Sequence, residues 1–154
     1  MLNINNRVVV TGIGILSPLG LNASATWEGL IAGKSGIDYI SLFDPEPFDT
    51  KFAGEVKGFE PTDYVSRKDA RHMDRFTQLA VAASLQAVEQ AGIKINSNNQ
   101  NDIGVIIGSG IGGLTILFEQ IGVLIERGPN RVSPFLAPMM IADMAGAQVS
   151  IALG

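Results

Sequence analysis

Two short runs of branched apolar residues, each ending in glycine, constrain the fold of this chain more than any other feature. The first is Arg7-Val-Val-Val-Thr11, followed by Gly12 and Gly14, and the second is residues 103–107, followed by Gly108. Neither run alternates strongly between apolar and polar residues, which is typical of strands buried on both faces. We therefore predict two central strands, over residues 7–11 and 103–107, in a sheet that is covered by helices.

Helix signals occupy most of the remaining chain. Ser24 can cap a first helix that Gly33 ends, and Ser66 with Asp69 resembles a capping box at the start of a long helix. Gly128-Pro129 is expected to end the helix predicted over residues 114–126. The predicted helices cover residues 24–32, 66–92, 114–126 and 138–153. With the strands, their order predicts an α/β fold with a mainly parallel sheet.

The long predicted helix has an apolar stripe made mostly of alanine: Ala80, Ala83, Ala87 and Ala91. Such small side chains let a neighbouring helix or sheet approach closely, so we expect this helix to be buried in a layered fold. Residues 34–61 are instead rich in Gly, Pro and Asp, with an extended pattern only near 51–56. A long excursion of this kind in a compact domain is more often functional than idle.

Composition excludes several classes of function. The 154 residues include no cysteine, which removes disulfides, thiolate metal sites and a cysteine nucleophile within this sequence. The net charge of −4 argues against a general nucleic-acid-binding protein. The uncharged run at residues 103–118 falls short of the roughly 18 to 20 apolar residues that span a bilayer. With no signal peptide pattern and no cluster of metal ligands, we expect a cytoplasmic protein without a bound metal or cofactor.

A glycine-rich loop follows the second predicted strand. Its pattern, Gly108-x-Gly110-x-x-Gly113, formally matches the fingerprint of dinucleotide-binding proteins. That fingerprint requires an acidic residue about 20 positions later, and none is present at 128–135. The glycines can instead permit positive φ angles and close approach of the backbone. A third interpretation is that the bulky Ile111 projects into an apolar ligand channel.

Basic residues cluster at the start of the long predicted helix. Arg67, Lys68, Arg71 and Arg75 recur at helical intervals and make one face positive on an otherwise acidic molecule. This face is either an ordinary solvated surface, offset by nearby acidic residues, or a docking site for an acidic partner. His72 is the only histidine, and its charged neighbours predict an exposed position without a catalytic role.

Seven segments, in this order and spacing, make the chain resemble the N-terminal part of a β-ketoacyl-acyl-carrier-protein synthase, most nearly the elongating type II of dissociated bacterial fatty acid synthesis. They are Arg7-Val-Val-Val-Thr-Gly-Ile-Gly-Ile-Leu-Ser-Pro-Leu-Gly20, Thr26-Trp27, Lys51-Phe-Ala-Gly54, Ser66-Arg-Lys68, Met73-Asp74, Gly108-Ser-Gly-Ile-Gly-Gly113 and Ser133-Pro-Phe135. The resemblance runs nearly end to end but covers well under half of such an enzyme.

The resemblance implies a thiolase-like fold, in which two similar α/β halves form a five-layered αβαβα core, and a homodimer. In this family an acyl group moves from a carrier protein to a cysteine, and decarboxylated malonyl carrier protein attacks the resulting thioester. Two histidines and a lysine assist. None of the positions of this sequence corresponds to the family's catalytic cysteine, histidines or lysine. Residues 1–154 are therefore expected to be an incomplete N-terminal domain that is inactive alone. The third central strand and the cysteine turn are expected beyond residue 154.

Five residues of this sequence take a role from the resemblance. Ile111, with Gly110, matches the loop whose isoleucine gates the acyl pocket, and a branched side chain there would limit how deep an acyl chain lies. Lys68 and Arg71 match the docking patch for the acidic acyl carrier protein. His72 takes the third basic position, where the family has a lysine-like residue. Carrier affinity is therefore expected to fall as pH rises and the imidazole loses its proton.

Three functions fit these features, in decreasing order of support. The first is part of an acyltransferase that condenses acyl and malonyl thioesters in fatty acid elongation. The second is a non-catalytic module that binds acyl carrier protein, in a salt-dependent way, through the face of Lys68 and Arg71. The third is a dinucleotide-binding domain, which an NAD titration would reveal.

Overall fold

The computed structural model describes residues 7–154, which contain six α-helices and one two-stranded antiparallel ribbon. Within these residues no helix is long and apolar enough to cross a membrane, and no three potential metal ligands come together. The elements, in chain order, are α1 (Ala23–Ile31), β1 (Asp38–Tyr39), β2 (Phe52–Ala53), α2 (Arg67–Ala70), α3 (Arg75–Ala91), α4 (Leu114–Arg127), α5 (Leu136–Met140) and α6 (Met144–Leu153), with short 3-10 turns at Pro61–Asp63, Gln100–Asp102 and Pro129–Arg131.

Helix α3 forms the centre of the molecule and packs mainly against α6. The core between them contains Met73, Val81 and Val149, each at most 6% exposed, with Val105 and Ile107 packed against it. Gly92 ends α3 with a φ of 66°, in the left-handed region that glycine adopts most readily. The predicted end of the long helix is therefore confirmed.

Gly12 and Gly14, which follow the first predicted strand, pack against the alanine stripe of α3. A Cβ atom on Gly12 would lie closer than 3.0 Å to the carbonyl oxygen of Ala87, and one on Gly14 would meet that of Ala83 equally closely. The predicted close approach is confirmed. The segment is also tied to α3 by two side chains: Gln90 accepts the N–H of Ile13 at 2.6 Å, and Gln86 accepts that of Ile15 at 3.1 Å.

The two predicted central strands are not formed within residues 7–154. Residues 7–11 and 103–107 pair with no neighbouring strand there, and the only strand pairing is antiparallel, between β1 and β2. A strand requires hydrogen-bonding neighbours, and burial of both faces requires two covering layers. Helices cover one face only, so Val105 and Ile107 are half-buried while Ile106 is 96% exposed and Val8 is 93% exposed. The mainly parallel sheet accordingly stays a prediction.

Three helix boundaries differ from those predicted. Helix α1 begins one residue earlier, because the side chain of Asn22 accepts the N–H of Ala25 at 2.8 Å, while Ser24 bonds to Glu28 instead. The predicted helix 66–92 is two helices, α2 and α3, separated by residues 71–74. The predicted helix 138–153 is also two, α5 and α6, because the backbone is extended at Ile141. At residues 71–74 the burial of Met73 and Asp74 overrides helix propensity.

The excursion over residues 34–61 is organised by one buried carboxylate. Residues 51–56 contain β2, which confirms the predicted extended pattern in part, and Glu55 follows it with 8% exposure. Glu55 accepts the N–H groups of Ser41 and Leu42 at 3.0 Å and the hydroxyl of Ser41 at 2.7 Å. The hydrogen bond from the Ser41 hydroxyl is the largest cause that holds the pKa of Glu55 below its ordinary value of 4.5, and the backbone N–H groups act in the same direction. Burial opposes this effect.

Candidate functional site

The basic residues singled out in the sequence lie on α2 and on the turn that follows it. Helix α2 starts at Ser66, whose hydroxyl oxygen accepts the N–H of Asp69 at 3.1 Å and whose proton is donated to the Asp69 carboxylate at 2.7 Å. The predicted cap at Ser66 is confirmed, although the Asp69 carboxylate accepts the hydroxyl of Ser66 and not its backbone N–H. Lys68 and Arg71 are exposed, and neither forms an ion pair within residues 7–154. Two cations are thus presented to solvent side by side.

Arg75 does not belong to this exposed basic surface. Its guanidinium donates to the carbonyl oxygen of Val56 at 2.6 Å and lies 5.6 Å from the centre of the Phe59 ring. The prediction that four basic residues share one face is therefore wrong at this position. The physical reason is the break between α2 and α3, after which the Arg75 side chain binds the excursion at Val56 and Phe59.

His72 is half-buried, which corrects the prediction of an exposed histidine on a solvated helix face. Its ring stacks on the ring of Phe135, with centroids 4.2 Å apart and planes inclined by 24°. Phe135 immediately precedes α5 and keeps 44% exposure. The stack fixes the imidazole beside Lys68 and Arg71 along the chain, at the edge of the basic surface.

The structure adds Asp74, which sequence reasoning did not assign to a site. Asp74 is 6% exposed and occupies the N-cap position of α3, yet its side chain does not cap that helix. Its carboxylate accepts the N–H of Ile116, in the first turn of α4, at 2.7 Å. One signal could have indicated such a partner: Gly113 is the N-cap residue of α4 and has no side chain with which to satisfy that turn.

The glycine loop ends against α5. Gly112 has a φ of 84°, and a Cβ atom on Gly112 or Gly113 would lie closer than 3.0 Å to a backbone oxygen of Met139 or Met140. The N–H of Gly113 donates to the carbonyl oxygen of Met140 at 2.8 Å. The interpretation that glycines permit close approach is confirmed for this pair. The third glycine of the formal fingerprint therefore meets the chain's own backbone, which gives dinucleotide binding no support.

Gly110 and Ile111 lie at the exposed end of the same loop. Ile111 is 73% exposed, and a Cβ atom on Gly110 would meet nothing within 4 Å. The hydroxyl oxygen of Ser109 accepts the N–H of Gly112 at 3.0 Å and closes the loop beneath them. The described residues thus present the Ile111 side chain outward and do not enclose it in a channel.

Three contacts bring the two sets of candidate residues to one junction. The turn at residues 71–74 contacts the start of α5 through His72 and the start of α4 through Asp74. The glycine loop contacts α5 through Gly113. Lys68, Arg71 and His72 therefore lie on one side of a junction from which the loop of Gly110 and Ile111 also emerges. Sequence spacing alone did not show this proximity.

Comparison with known proteins gives a consistent result. The family model described as "Beta-ketoacyl synthase, N-terminal domain" matches residues 5–154. The chain is 50% identical, over 150 residues, to 3-oxoacyl-[acyl-carrier-protein] synthase 2 of Staphylococcus aureus strain COL, covering 97% of this chain and 36% of that protein. The chain thus spans little more than a third of the length of this relative.

Solved structures show the same fold. The ishigamide ketosynthase/chain length factor superposes with a TM-score of 0.80 at 30% identity, over 94% of this chain and 36% of that one. A β-ketoacyl synthase from Burkholderia phymatum superposes with a TM-score of 0.76 at 26% identity, over the same shares of the two chains. The thiolase-like α/β fold class expected from the sequence is confirmed by these neighbours. The chain belongs to the β-ketoacyl synthase family and carries that family's N-terminal domain.

Proposed function

We propose that this chain is the N-terminal part of a 3-oxoacyl-[acyl-carrier-protein] synthase, an acyltransferase of fatty acid elongation. The observation that carries the proposal is the 50% identity to a synthase of that name over 97% of the chain. The enzyme would transfer an acyl group from carrier protein to a cysteine thiolate and release CO2 from malonyl carrier protein. The resulting carbanion would then bond to the acyl carbon and displace the cysteine thiolate. The resemblance to dissociated bacterial synthases supports a cytoplasmic location.

The nucleophile of this reaction must come from outside residues 1–154. The 154 residues contain no cysteine, so the acyl-enzyme thioester cannot form on them. We propose that residues 1–154 form an incomplete N-terminal ketoacyl-synthase domain, with the third central strand and the cysteine turn beyond residue 154. The chain's own contribution would be to bind the carrier protein and to shape the acyl site.

Lys68, Arg71 and His72 would bind the carrier protein. Lys68 and Arg71 are exposed cations without a partner among residues 7–154, so an acidic surface can reach them without breaking an existing ion pair. Charge complementarity of this kind accelerates association and fixes orientation. The stack on Phe135 holds His72 in place, so protonation of its ring would add a third positive charge at a defined position.

Ile111 and Gly110 would contribute to the acyl site. Their loop is anchored by the close packing of Gly112 and Gly113 on α5, which leaves the branched side chain of Ile111 free at 73% exposure. In the complete synthase that side chain would limit the depth to which an acyl chain enters. Gly110, with open space around it, would allow the loop to adjust.

The complete synthase would be a homodimer. Helix α4 carries an apolar stripe that no element within residues 7–154 covers, in which Phe118 is 80% exposed and Ile125 is 78% exposed. Such a stripe at helical spacing is normally buried in an assembled protein. Sedimentation of the synthase tests this proposal, and a monomer at micromolar concentration would contradict it.

Carrier docking is tested by charge reversal in the complete synthase. Lys68→Glu is expected to weaken binding of acyl carrier protein about tenfold at low salt, and less at high salt, because a favourable charge contact becomes repulsive. Lys34→Glu is the matched control, since Lys34 is also exposed but lies after α1. Equal weakening by both variants would contradict a specific docking surface. Docking without condensation by the wild type would favour the non-catalytic module.

His72→Lys tests the role of the imidazole. Carrier binding by the wild type is compared at pH 6 and pH 8 and is expected to weaken as the pH rises, because a neutral imidazole offers no charge to an acidic partner. The lysine variant keeps its charge at both pH values and is expected to lose this dependence. A pH dependence that survives the substitution would show that another group is responsible.

A further inference from the structure

Asp74 directs its carboxylate away from the helix that it precedes. Its backbone is extended, with φ −67° and ψ 160°, and it forms no side-chain hydrogen bond to α3. At 6% exposure the carboxylate is largely removed from water. A buried carboxylate needs hydrogen-bond donors, and the donor found here is the N–H of Ile116, 42 residues further along the chain, at 2.7 Å.

The hydrogen bond between Asp74 and the N–H of Ile116 provides a side-chain cap that α4 otherwise lacks. The N-cap residue of α4 is Gly113, which makes no side-chain cap bond. The N–H of Leu114 donates to the carbonyl oxygen of Gly112, whereas the N–H of Ile116 depends on a distant part of the molecule. A negative charge near the first turn also interacts favourably with the helix dipole. Asp74 therefore acts as a cap contributed by a distant segment, and it determines where α4 begins relative to the turn at residues 71–74.

The position of α4 determines the position of the glycine loop. Gly112 and Gly113 lead directly into α4, and Gly113 is held against Met140 on α5. Phe135, which precedes α5, is in turn stacked on His72. The turn at residues 71–74 thus contacts both elements that hold the loop of Gly110 and Ile111. One residue of that turn, Asp74, makes its contact through a buried charged hydrogen bond.

We propose that Asp74 is a positioning residue that holds the loop of Ile111 in register with the basic surface of Lys68 and Arg71. This inference rests on the proposed function, because it concerns how the acyl site is placed relative to carrier docking. It assigns to Asp74 an effect on which acyl chains are accepted, exerted through Ile116, without contact with the substrate.

The experiment compares two substitutions in the complete synthase. Asp74→Ala removes the acceptor, and Asp74→Asn retains an oxygen that can accept the N–H of Ile116. Asp74→Ala is expected to increase the rate of hydrogen exchange at the Ile116 amide about tenfold. It is also expected to change the ratio of kcat/KM for long and short acyl substrates about fivefold and to leave the affinity for carrier protein unchanged. Asp74→Asn is expected to restore both quantities to within about twofold of wild type.

Glu55→Ala is the matched control for a general loss of stability. Glu55 is also a buried carboxylate that accepts backbone N–H groups, but its partners are Ser41 and Leu42, far along the chain from the loop. It is expected to lower stability and leave the chain-length ratio unchanged. If Asp74→Ala does not fold, Asp74→Glu serves instead, since it moves the acceptor by one methylene while keeping its charge.

Distinct results overturn the inference and the proposed function. A wild type that fails to condense acyl and malonyl thioesters refutes the proposed function, whereas the exchange measurement at Ile116 still tests the contact. An active wild type whose Asp74 variants keep the normal chain-length ratio refutes the positioning role. A ratio altered equally by Glu55→Ala also refutes it, because the effect would then follow from stability alone.

Discussion

The substitution Gly14→Ala tests the contact that places the first extended segment on α3. A Cβ atom at Gly14 would lie closer than 3.0 Å to the backbone oxygen of Ala83, so the segment must move away from the helix. Overpacking of this kind costs about 1 to 3 kcal/mol. The shift also weakens the hydrogen bonds from the N–H groups of Ile13 and Ile15, each contributing about 1 kcal/mol.

The net effect of Gly14→Ala is smaller than the sum of these losses. Replacing glycine reduces the entropy of the unfolded chain and returns about 0.4 to 1 kcal/mol. We therefore expect a loss of about 2 to 4 kcal/mol, which corresponds to a fall in Tm of roughly 10 °C for a domain of this size. Thermal unfolding followed by circular dichroism measures this change.

Gly104→Ala is the matched control. Gly104 also lies in an extended segment, but a Cβ atom there meets nothing within 4 Å. Its Tm is expected to equal or slightly exceed that of the wild type. Gly14→Ala and Gly104→Ala melting at the same temperature would refute the reasoning. Rescue of Gly14→Ala by Ala83→Gly would refute it too, because the opposing atom is a backbone oxygen that this second change leaves in place.

Two further predictions concern a helix cap and a pH-dependent anchor. Asn22→Ala is expected to destabilise the protein by about 1 kcal/mol in thermal unfolding, because it removes the cap on Ala25, whereas Ser24→Ala should have a smaller effect. Glu55→Gln is expected to lower Tm at pH 7 and to have a diminishing effect as pH falls below 4.5. The Ser41 hydroxyl lowers the pKa of Glu55 in the folded protein, so the stability that the ionised carboxylate contributes is lost when it is protonated. A difference in Tm from the wild type that stays constant down to pH 3 would contradict this assignment.

Local sequence signals predicted those features that depend on neighbours in the chain. The cap at Ser66, the end of α3 at Gly92 and the end of α4 at Gly128 were all predicted correctly. Each depends on one or two adjacent residues whose conformational preferences suffice. Signals of the same kind failed to choose between Asn22 and Ser24, two cap-forming residues two positions apart. They also failed at the turn of residues 71–74, where Met73 and Asp74 are buried against distant elements.

The candidate site was predicted in part. Lys68 and Arg71 are exposed, as the sequence predicted, although Arg71 lies in the turn after α2 and not at a helix start. Ile111 lies on the loop that the glycines predict. Their roles stay predictions until the binding and condensation experiments are done. The sequence did not indicate that His72 stacks on Phe135 or that Arg75 turns away, because both depend on which segments meet in space.

The sequence by itself determined the family, the approximate helical regions and the alanine stripe that lets another element approach closely, because the required information is contained in residue types and their spacing. Tertiary structure decided the junction of α3, α4 and α5. There Asp74 and Ile116 meet across 42 positions of sequence, and a buried carboxylate satisfies a helix whose own cap residue has no side chain. Such a pairing leaves no periodic signal, since hydrogen-bond donors and acceptors are matched only after the chain has folded.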